Sequence, residues 1–498
     1  MRRALAALGA VFALLIVAGG ASAAKPVPAS TFTDFTLAAT PPNPAGTTCP
    51  GSALCSNGAA EPAIGVSLAG RFFGSSENGL GGGTLAWTSS DNGLHYASTP
   101  SPNDVSTGSD SVGQESGFEP GGGDTDVAVA TGLNSAGTYN AYVVSLSLAN
   151  IDVSTSTDNG ASWSLNPATA LPIDDRPWVA ATGASKVCIS YLTAPGILVP
   201  QVGLHVQCST DAGHSFPQVA NAYDTSEVGL AASQGGSRTG NLVFDPSNPA
   251  YMYTVFAYEN IVDGPNPNAF LHNVGIAAST DGGVTWHDYP VHINPDISAK
   301  YDNQFVNVAV DKAGVVYVAY SDNHGIFYQY SKTHGKTFSA PVQVSQGTDT
   351  AVMPWLAAGD AGKIDLVYYQ ATGYSGNPEV APISVAWKVV MAQSLTAASA
   401  RPGYSYTTVN PVVHHGGVCE GGALCTGNRD LYDDFGVEAS PTTGLASIIY
   451  SDDQYQNDAN HKPYPGYNCT AADTDTSTCQ HTNVATQTGG RTIFTVKK

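Results

Sequence analysis

Along most of this chain, apolar residues gather in short runs rich in Val, Ile and aromatic side chains, broken by clusters of Gly, Asn, Asp and Pro. Such runs read as β-strands separated by turns. Val315-Val-Tyr-Val-Ala-Tyr320, Ile364-Asp-Leu-Val-Tyr-Tyr369 and Ala446-Ser-Ile-Ile-Tyr450 are examples. No segment sustains the apolar period of an amphipathic helix. The pattern predicts an all-β chain.

Two elements recur. The first is a strand of small and β-branched residues, introduced by a charged or amide side chain. Its copies are Glu61-Pro-Ala-Ile-Gly-Val, Asp124-Thr-Asp-Val-Ala-Val, Asp175-Arg-Pro-Trp-Val-Ala, Asn241-Leu-Val-Phe-Asp-Pro, Asp302-Asn-Gln-Phe-Val-Asn-Val-Ala-Val, Met353-Pro-Trp-Leu-Ala-Ala and Asp434-Phe-Gly-Val-Glu-Ala. The second spells Ser, any, Asp, any, Gly, any, any, aromatic. It is complete at Ser156–Trp163 and Ser279–Trp286, takes another aromatic at Ser89–Tyr96 and Ser209–Phe216, and also loses its Asp at Ser331–Phe338. Asp-any-Gly is turn chemistry: the carboxylate accepts nearby backbone N–H groups and Gly tolerates positive φ. Self-similarity at a spacing of tens of residues marks a repeat architecture. Seven copies of the first strand, with small residues where neighbours would crowd an axis, predict a single β-propeller of seven four-stranded blades.

The second element resembles the Asp-box, or bacterial neuraminidase repeat, of the sialidase-like β-propellers. The resemblance implies that the box joins the third and fourth strands of a blade, on the side away from the active site, with no catalytic role. It makes six blades the alternative count, because sialidases usually have six. Thr31–Leu37 or Arg491–Val496 is expected to supply the strand that closes the ring.

The chain opens with Met1-Arg2-Arg3, an apolar run to about Ala18, and Ala21-Ser22-Ala23. A basic start, a short apolar stretch and a small-residue site predict a secretory signal peptide over 1–23, and a protein outside the cytoplasm. Residues 24–60 read as an N-terminal extension and 61–498 as the propeller. Eight cysteines in a secreted chain point to disulfides. Proximity suggests Cys49–Cys55, Cys419–Cys425 and Cys469–Cys479, and Cys188 and Cys208 fall on neighbouring strands of one hairpin. No close cysteine pair has a matching Cys or His pair nearby to make a zinc site.

With 40 acidic against 19 basic side chains the formal charge is −21. Such a surface repels polyanions, and no Lys/Arg cluster offers phosphate contacts, so nucleic acid is excluded as a partner. No later stretch is apolar and long enough to span a membrane. Serine-protease elbow and phosphate-loop motifs do not occur in their required context. Asp452-Asp453 and Asp473-Thr-Asp475 leave calcium open as a ligand, although no twelve-residue calcium loop is present. No cofactor is required by anything else in the sequence.

The loops that enter innermost strands would converge at one mouth of the channel, and they hold much of the chain's scarce charge. Glu61, Asp124, Asp126, Asp175, Arg176, Arg238, Tyr301, Asp302, Asp349, Arg429, Asp430, Tyr432, Asp433 and Asp434 all belong to this set. Converging Arg and carboxylate groups in a concave site suit a polar ligand. The sialidase resemblance implies an arginine clamp of Arg176, Arg238 and Arg429, a nucleophile at Tyr301 or Tyr432, and an acid at Asp124 or Asp126. The family's Arg-Ile-Pro signature is missing, Arg71-Phe-Phe being the nearest arginine to its place. A carboxylate-pair glycosidase drawing on Asp126, Asp175, Asp302 and Asp433 is the second enzymatic expectation. The function expected is thus binding, with hydrolysis left open, of a carbohydrate or glycoconjugate. A non-catalytic glycan-binding or adhesion propeller, or a protein-docking scaffold, is the alternative.

Overall fold

The computed structural model describes residues 30–37, 61–80, 82–103, 121–147, 150–166, 174–193, 203–260, 271–301, 305–419, 425, 429, 431–433, 435–454, 456–457, 462–463 and 480–496. These residues form seven four-stranded antiparallel sheets, plus one short two-stranded ribbon. The innermost strands are Ala63–Val66, Thr125–Leu133, Asp174–Thr182, Ser237–Phe244, Asn307–Val310, Ala351–Ala358 and Gly436–Ala439. Each packs beside the innermost strand of the next blade, and that of blade 7 returns to that of blade 1. The chain is a seven-bladed β-propeller, and all seven strands expected to line its axis do so.

Six blades are built from consecutive strands. Blade 7 instead takes Gly436–Ala439, Ala446–Asp452 and His481–Gly489 from the C-terminal part and Thr31–Thr36 from the N-terminal part as its outermost strand. Thr31 lies opposite Gly489 and Thr36 opposite Asn483. Of the two segments expected to close the ring, the N-terminal one does it. That strand covers an edge that would otherwise present unpaired backbone groups.

The blades cohere through apolar layers between neighbouring sheets. The second strands contribute buried tyrosines, among them Tyr142, Tyr191, Tyr253, Tyr317, Tyr369 and Tyr450. Polar clamps on the innermost strands tie one blade to the next. Asp126 accepts from Val179 N at 2.9 Å, Asn241 from Val308 N at 2.7 Å, and Asn307 from Leu356 N at 2.8 Å.

The repeated Ser-any-Asp-any-Gly turn joins the third and fourth strands of blades 1 to 5. In blade 4, Ser279 Oγ donates to Asp281 at 2.8 Å and accepts from Gly283 N at 2.9 Å, while Asp281 accepts from Thr285 N at 2.9 Å. Gly283 has φ 93°, where a side chain would be strained. In blade 5 a hydroxyl replaces the carboxylate. Thr333 Oγ1 accepts from Thr337 N at 3.0 Å, and Gly335 N still donates to Ser331 at 3.0 Å. The turn survives its Asp because either group supplies an acceptor at the same place.

Among the described residues the α-helix Glu227–Gly235 departs from the all-β expectation. Ser226 caps it by accepting from Gly229 N, and Val228, Ala231 and Ala232 bury against Trp178, Leu204 and Trp286. It is too short to register as a periodic pattern. Cys188–Cys208 and Cys419–Cys425 form the disulfides expected of them. Cys49–Cys55, Cys469–Cys479 and the acidic pair Asp473 and Asp475 lie outside the described residues. Asp452 and Asp453, the acidic pair that left calcium open, are both buried, Asp452 bonded by Asn410 and Asn483, and Asp453 by His414 at 2.7 Å.

Candidate ligand site at the channel mouth

In an antiparallel blade the first and third strands run the same way. The repeated turns that follow third strands therefore lie at one end of the ring, and the residues that open the innermost strands lie at the other. Five of the ten non-glycine residues with positive φ open innermost strands: Glu61, Arg176, Phe305, Met353 and Tyr432. Glu61, Arg176 and Met353 each precede a proline, and the ladder slips between Asp175 and Trp178 and between Val352 and Trp355. A left-handed non-glycine residue costs on the order of 1–3 kcal/mol and persists where its surroundings fix it. The left-handed turn at Glu61 and the bulge at Arg176 accompany side chains that meet across the mouth, Arg176 Nη2 lying 3.2 Å from Glu61 Oε1.

Arg176 is the hub. It is buried, and its Nη2 meets Asp433 Oδ2 at 2.9 Å and Glu61 Oε1 at 3.2 Å, while Nε faces Asp124 Oδ2 at 3.5 Å. Its guanidinium lies 4.1 Å from the centre of the Phe305 ring, a cation–π arrangement. Arg429, about one third exposed, donates through Nη2 to the same Glu61 Oε1 and Asp433 Oδ2, each at 3.1 Å. Its guanidinium stands 4.6 Å from the centre of the Tyr432 ring. Glu77, which follows the second strand of blade 1, and Asp124 complete the acidic side. One oxygen from each of Glu61, Glu77 and Asp124 lies within 4.8 Å of the others.

Burial and like charge set these groups apart. Burial pushes Glu61 well above the usual carboxyl range, against the pull of Arg176. Burial and the neighbouring Asp124 raise Glu77 to about 7. Burial pushes Asp124 up as well, but the charge of Arg176, hydrogen bonds with Glu61 and Asp175 and the charge of Arg429 together hold it below the usual range. Asp175, the most solvent-open of the set, is raised to about 6 by the protein around it and then by Asp124.

Beyond this ring the channel holds a cavity of about 680 Å³ lined by the innermost strands. Trp355 borders it, its ring 5.5 Å from that of buried Trp178. Asp126, buried, and Glu438, half-buried, are its acids. Burial raises Asp126 to about 7 and, reinforced by the charge of Asp126, raises Glu438 to about 8.

Among the residues singled out in the sequence, Arg176, Arg429, Asp124, Asp175, Tyr432, Asp433 and Glu61 meet at this mouth. Asp126 stands within the channel, clamping the next blade through Val179 N and bonding the N–H of its own neighbour Val127. Arg238 opens the innermost strand of blade 4 opposite Ala257. Tyr301 is buried, its hydroxyl held by Asn294 at 2.9 Å and His292 at 3.1 Å. Asp302, Asp430 and Asp434 lie outside the described residues. Glu77 was not foreseen, having no motif around it. Trp178 and Trp355 could have been: both follow an X-Pro step at the start of an innermost strand.

No protein-family model and no curated protein matches the chain. Among solved structures it is similar to an α-L-arabinofuranosidase from Fusarium graminearum in complex with an iminosugar inhibitor. That match has 16% identity and a TM-score of 0.42, over 69% of this chain and 93% of that one. It is similar to the Aleuria aurantia lectin in complex with Fucα1-6GlcNAc, with 10% identity and a TM-score of 0.41, over 71% and 96% of the two chains. A Hadza microbial sialidase matches at 12% identity and a TM-score of 0.37, over 62% of this chain and 63% of that one.

Proposed function

We propose that the protein binds carbohydrate at this channel mouth and does so outside the cytoplasm. The carrying observation is the convergence of Glu61, Glu77, Asp124, Asp175, Arg176, Arg429 and Asp433 on one rim beside the Tyr432 ring. Carboxylates in excess of guanidiniums offer acceptors to the hydroxyl groups of a sugar, and an aromatic face suits its C–H side. Arg176 and Arg429 are already paired with Glu61 and Asp433, so neither offers uncompensated positive charge to an anionic sugar. A neutral glycan is therefore favoured over a sialylated one. Two disulfides support an oxidising compartment. Among the described residues no helix is long and apolar enough to cross a membrane.

Glycoside hydrolysis is the second reading. It is favoured by Glu77 and Asp124, whose oxygens approach within 4.8 Å. Retaining glycosidases hold their carboxyl pair about 5–5.5 Å apart and inverting ones about 6.5–9.5 Å. Turnover by this pair would keep the anomeric configuration.

A screen of neutral and sialylated oligosaccharides tests both readings. Saturable binding of neutral sugars, weakened by Tyr432→Ala and Glu77→Gln, is expected. Binding confined to sialylated glycans, or no binding to any, would refute the proposal. Release of sugar from neutral aryl glycosides, lost in Asp124→Asn, would favour hydrolysis.

A further inference from the structure

The acidic side of the mouth is not neutralised by the groups around it. Glu61, Glu77, Asp124, Asp175 and Asp433 bring five carboxyl groups against the two guanidiniums of Arg176 and Arg429. The arginines spend their contacts unevenly. Both take Glu61 Oε1 and Asp433 Oδ2, while within the corner of Glu61, Glu77 and Asp124 the closest further arginine contact is the longer one from Arg176 Nε to Asp124. Glu61 is fully buried, its second oxygen, Oε2, receives no N–H or hydroxyl donor among the described residues, and its only other neighbours there are the carboxyls of Glu77 and Asp124, which can bond it only through a shared proton. A buried carboxylate oxygen without a donor is costly, and native structures rarely leave one unsatisfied.

We propose that Glu61, Glu77 and Asp124 form a binding site for a hard divalent cation, calcium before magnesium. One oxygen from each residue lies within 4.8 Å of the other two. That spacing can be bridged by an ion with oxygen ligands at about 2.3–2.6 Å, as calcium has, whereas magnesium requires about 2.0–2.1 Å and near-ideal octahedral geometry. The donors are all carboxylate oxygens, the chemistry of hard cations and not of zinc or copper. Glu77 and Asp124 keep part of their surface in solvent, so the ion has a way in and water can complete its shell. An ion here would satisfy Glu61 Oε2 and offset the excess negative charge.

The site stands whether or not a sugar binds or is cleaved, because its test uses the metal alone. The full chain, stripped with chelator and dialysed into metal-free buffer at pH 7.5, is titrated with calcium chloride and with magnesium chloride by calorimetry. Thermal unfolding is followed in parallel. One calcium per chain is expected, with a Kd of about 10⁻⁴ M or tighter and a raised Tm. Magnesium should bind at least about tenfold more weakly. Glu77→Gln, on a part-exposed side chain, should weaken calcium at least about tenfold. Asp124→Asn gives the same readout from another ligand, and Asp281→Asn at the opposite end of the ring should bind as the parent does. Absence of heat and of any Tm change at about 10 mM calcium would overturn the proposal. So would affinity unchanged in both Glu77→Gln and Asp124→Asn, or a preference for magnesium.

Discussion

Arg176 is the single cation on which three blades lean, and replacing it by Met tests that reading. The substitution keeps an unbranched apolar stem against Phe305 and removes the charge. Glu61 and Asp433 would each retain Arg429, at 3.1 Å, but Asp124 would lose the guanidinium that holds it ionised. Removing one partner of a buried ion pair costs about 3–5 kcal/mol, because the remaining charge is stranded. Loss of the guanidinium over Phe305, 4.1 Å from the ring centre, adds on the order of 1–2 kcal/mol. The expected loss for Arg176→Met is thus about 4–7 kcal/mol at pH 7. Arg429→Met should cost much less, about 1–2 kcal/mol, since its side chain is 30% exposed and Arg176 still faces the same two oxygens. Urea unfolding at pH 7 and pH 5, followed by tryptophan fluorescence, measures both. The Arg176→Met deficit should shrink at pH 5, where the stranded carboxyls can take up protons, and Glu61→Gln added to it should restore part of the stability. A cost below about 1 kcal/mol, or one no larger than that of Arg429→Met, would refute the reasoning.

Three further outcomes are expected. Asp365 is fully buried with Gln393 as its donor, and burial raises it from 3.8 to about 7. A raised carboxyl contributes stability that is present below its unfolded pKa and lost as pH rises through the folded value. Asp365→Asn should therefore match the parent near pH 4 and exceed it by about 4 kcal/mol at pH 8, as read from urea midpoints across that range. In the repeated turns, Asp281→Ala removes charge-assisted bonds to Ser279 and Thr285 and should cost about 1–3 kcal/mol, whereas Thr333→Ala, which removes neutral ones, should cost about half as much in the same assay. Deleting residues 24–37 strips blade 7 of its outermost strand and exposes the edge His481–Gly489. Lower Tm and concentration-dependent association in size-exclusion chromatography should follow.

The scaffold could be read from the chain because each blade repeats a local spelling. Small residues announced the seven innermost strands, and the Ser-any-Asp-any-Gly turn announced where third strands end. Cys188 and Cys208 could be paired because they share a hairpin, where they face each other across the ladder. The site was legible only in outline. Charges at the starts of innermost strands were visible, but the contacts that make them a site join positions remote in sequence. Arg429 reaches Glu61 across 368 residues and Arg176 reaches Asp433 across 257. Nothing local specifies such pairs. They exist because closing the ring brings the starts of all innermost strands to one mouth, with left-handed backbone at Glu61 and a bulge at Arg176. Glu77 escaped notice for a related reason: it follows a second strand, outside the set of positions the repeat singled out. The three-arginine clamp that the resemblance implied is subject to the same geometry. At this mouth Glu61 and Asp433 already offset the charge of both Arg176 and Arg429. Acid in excess over guanidinium is what distinguishes this rim. That balance is set by which side chains the ring closure brings together and not by any motif along the chain.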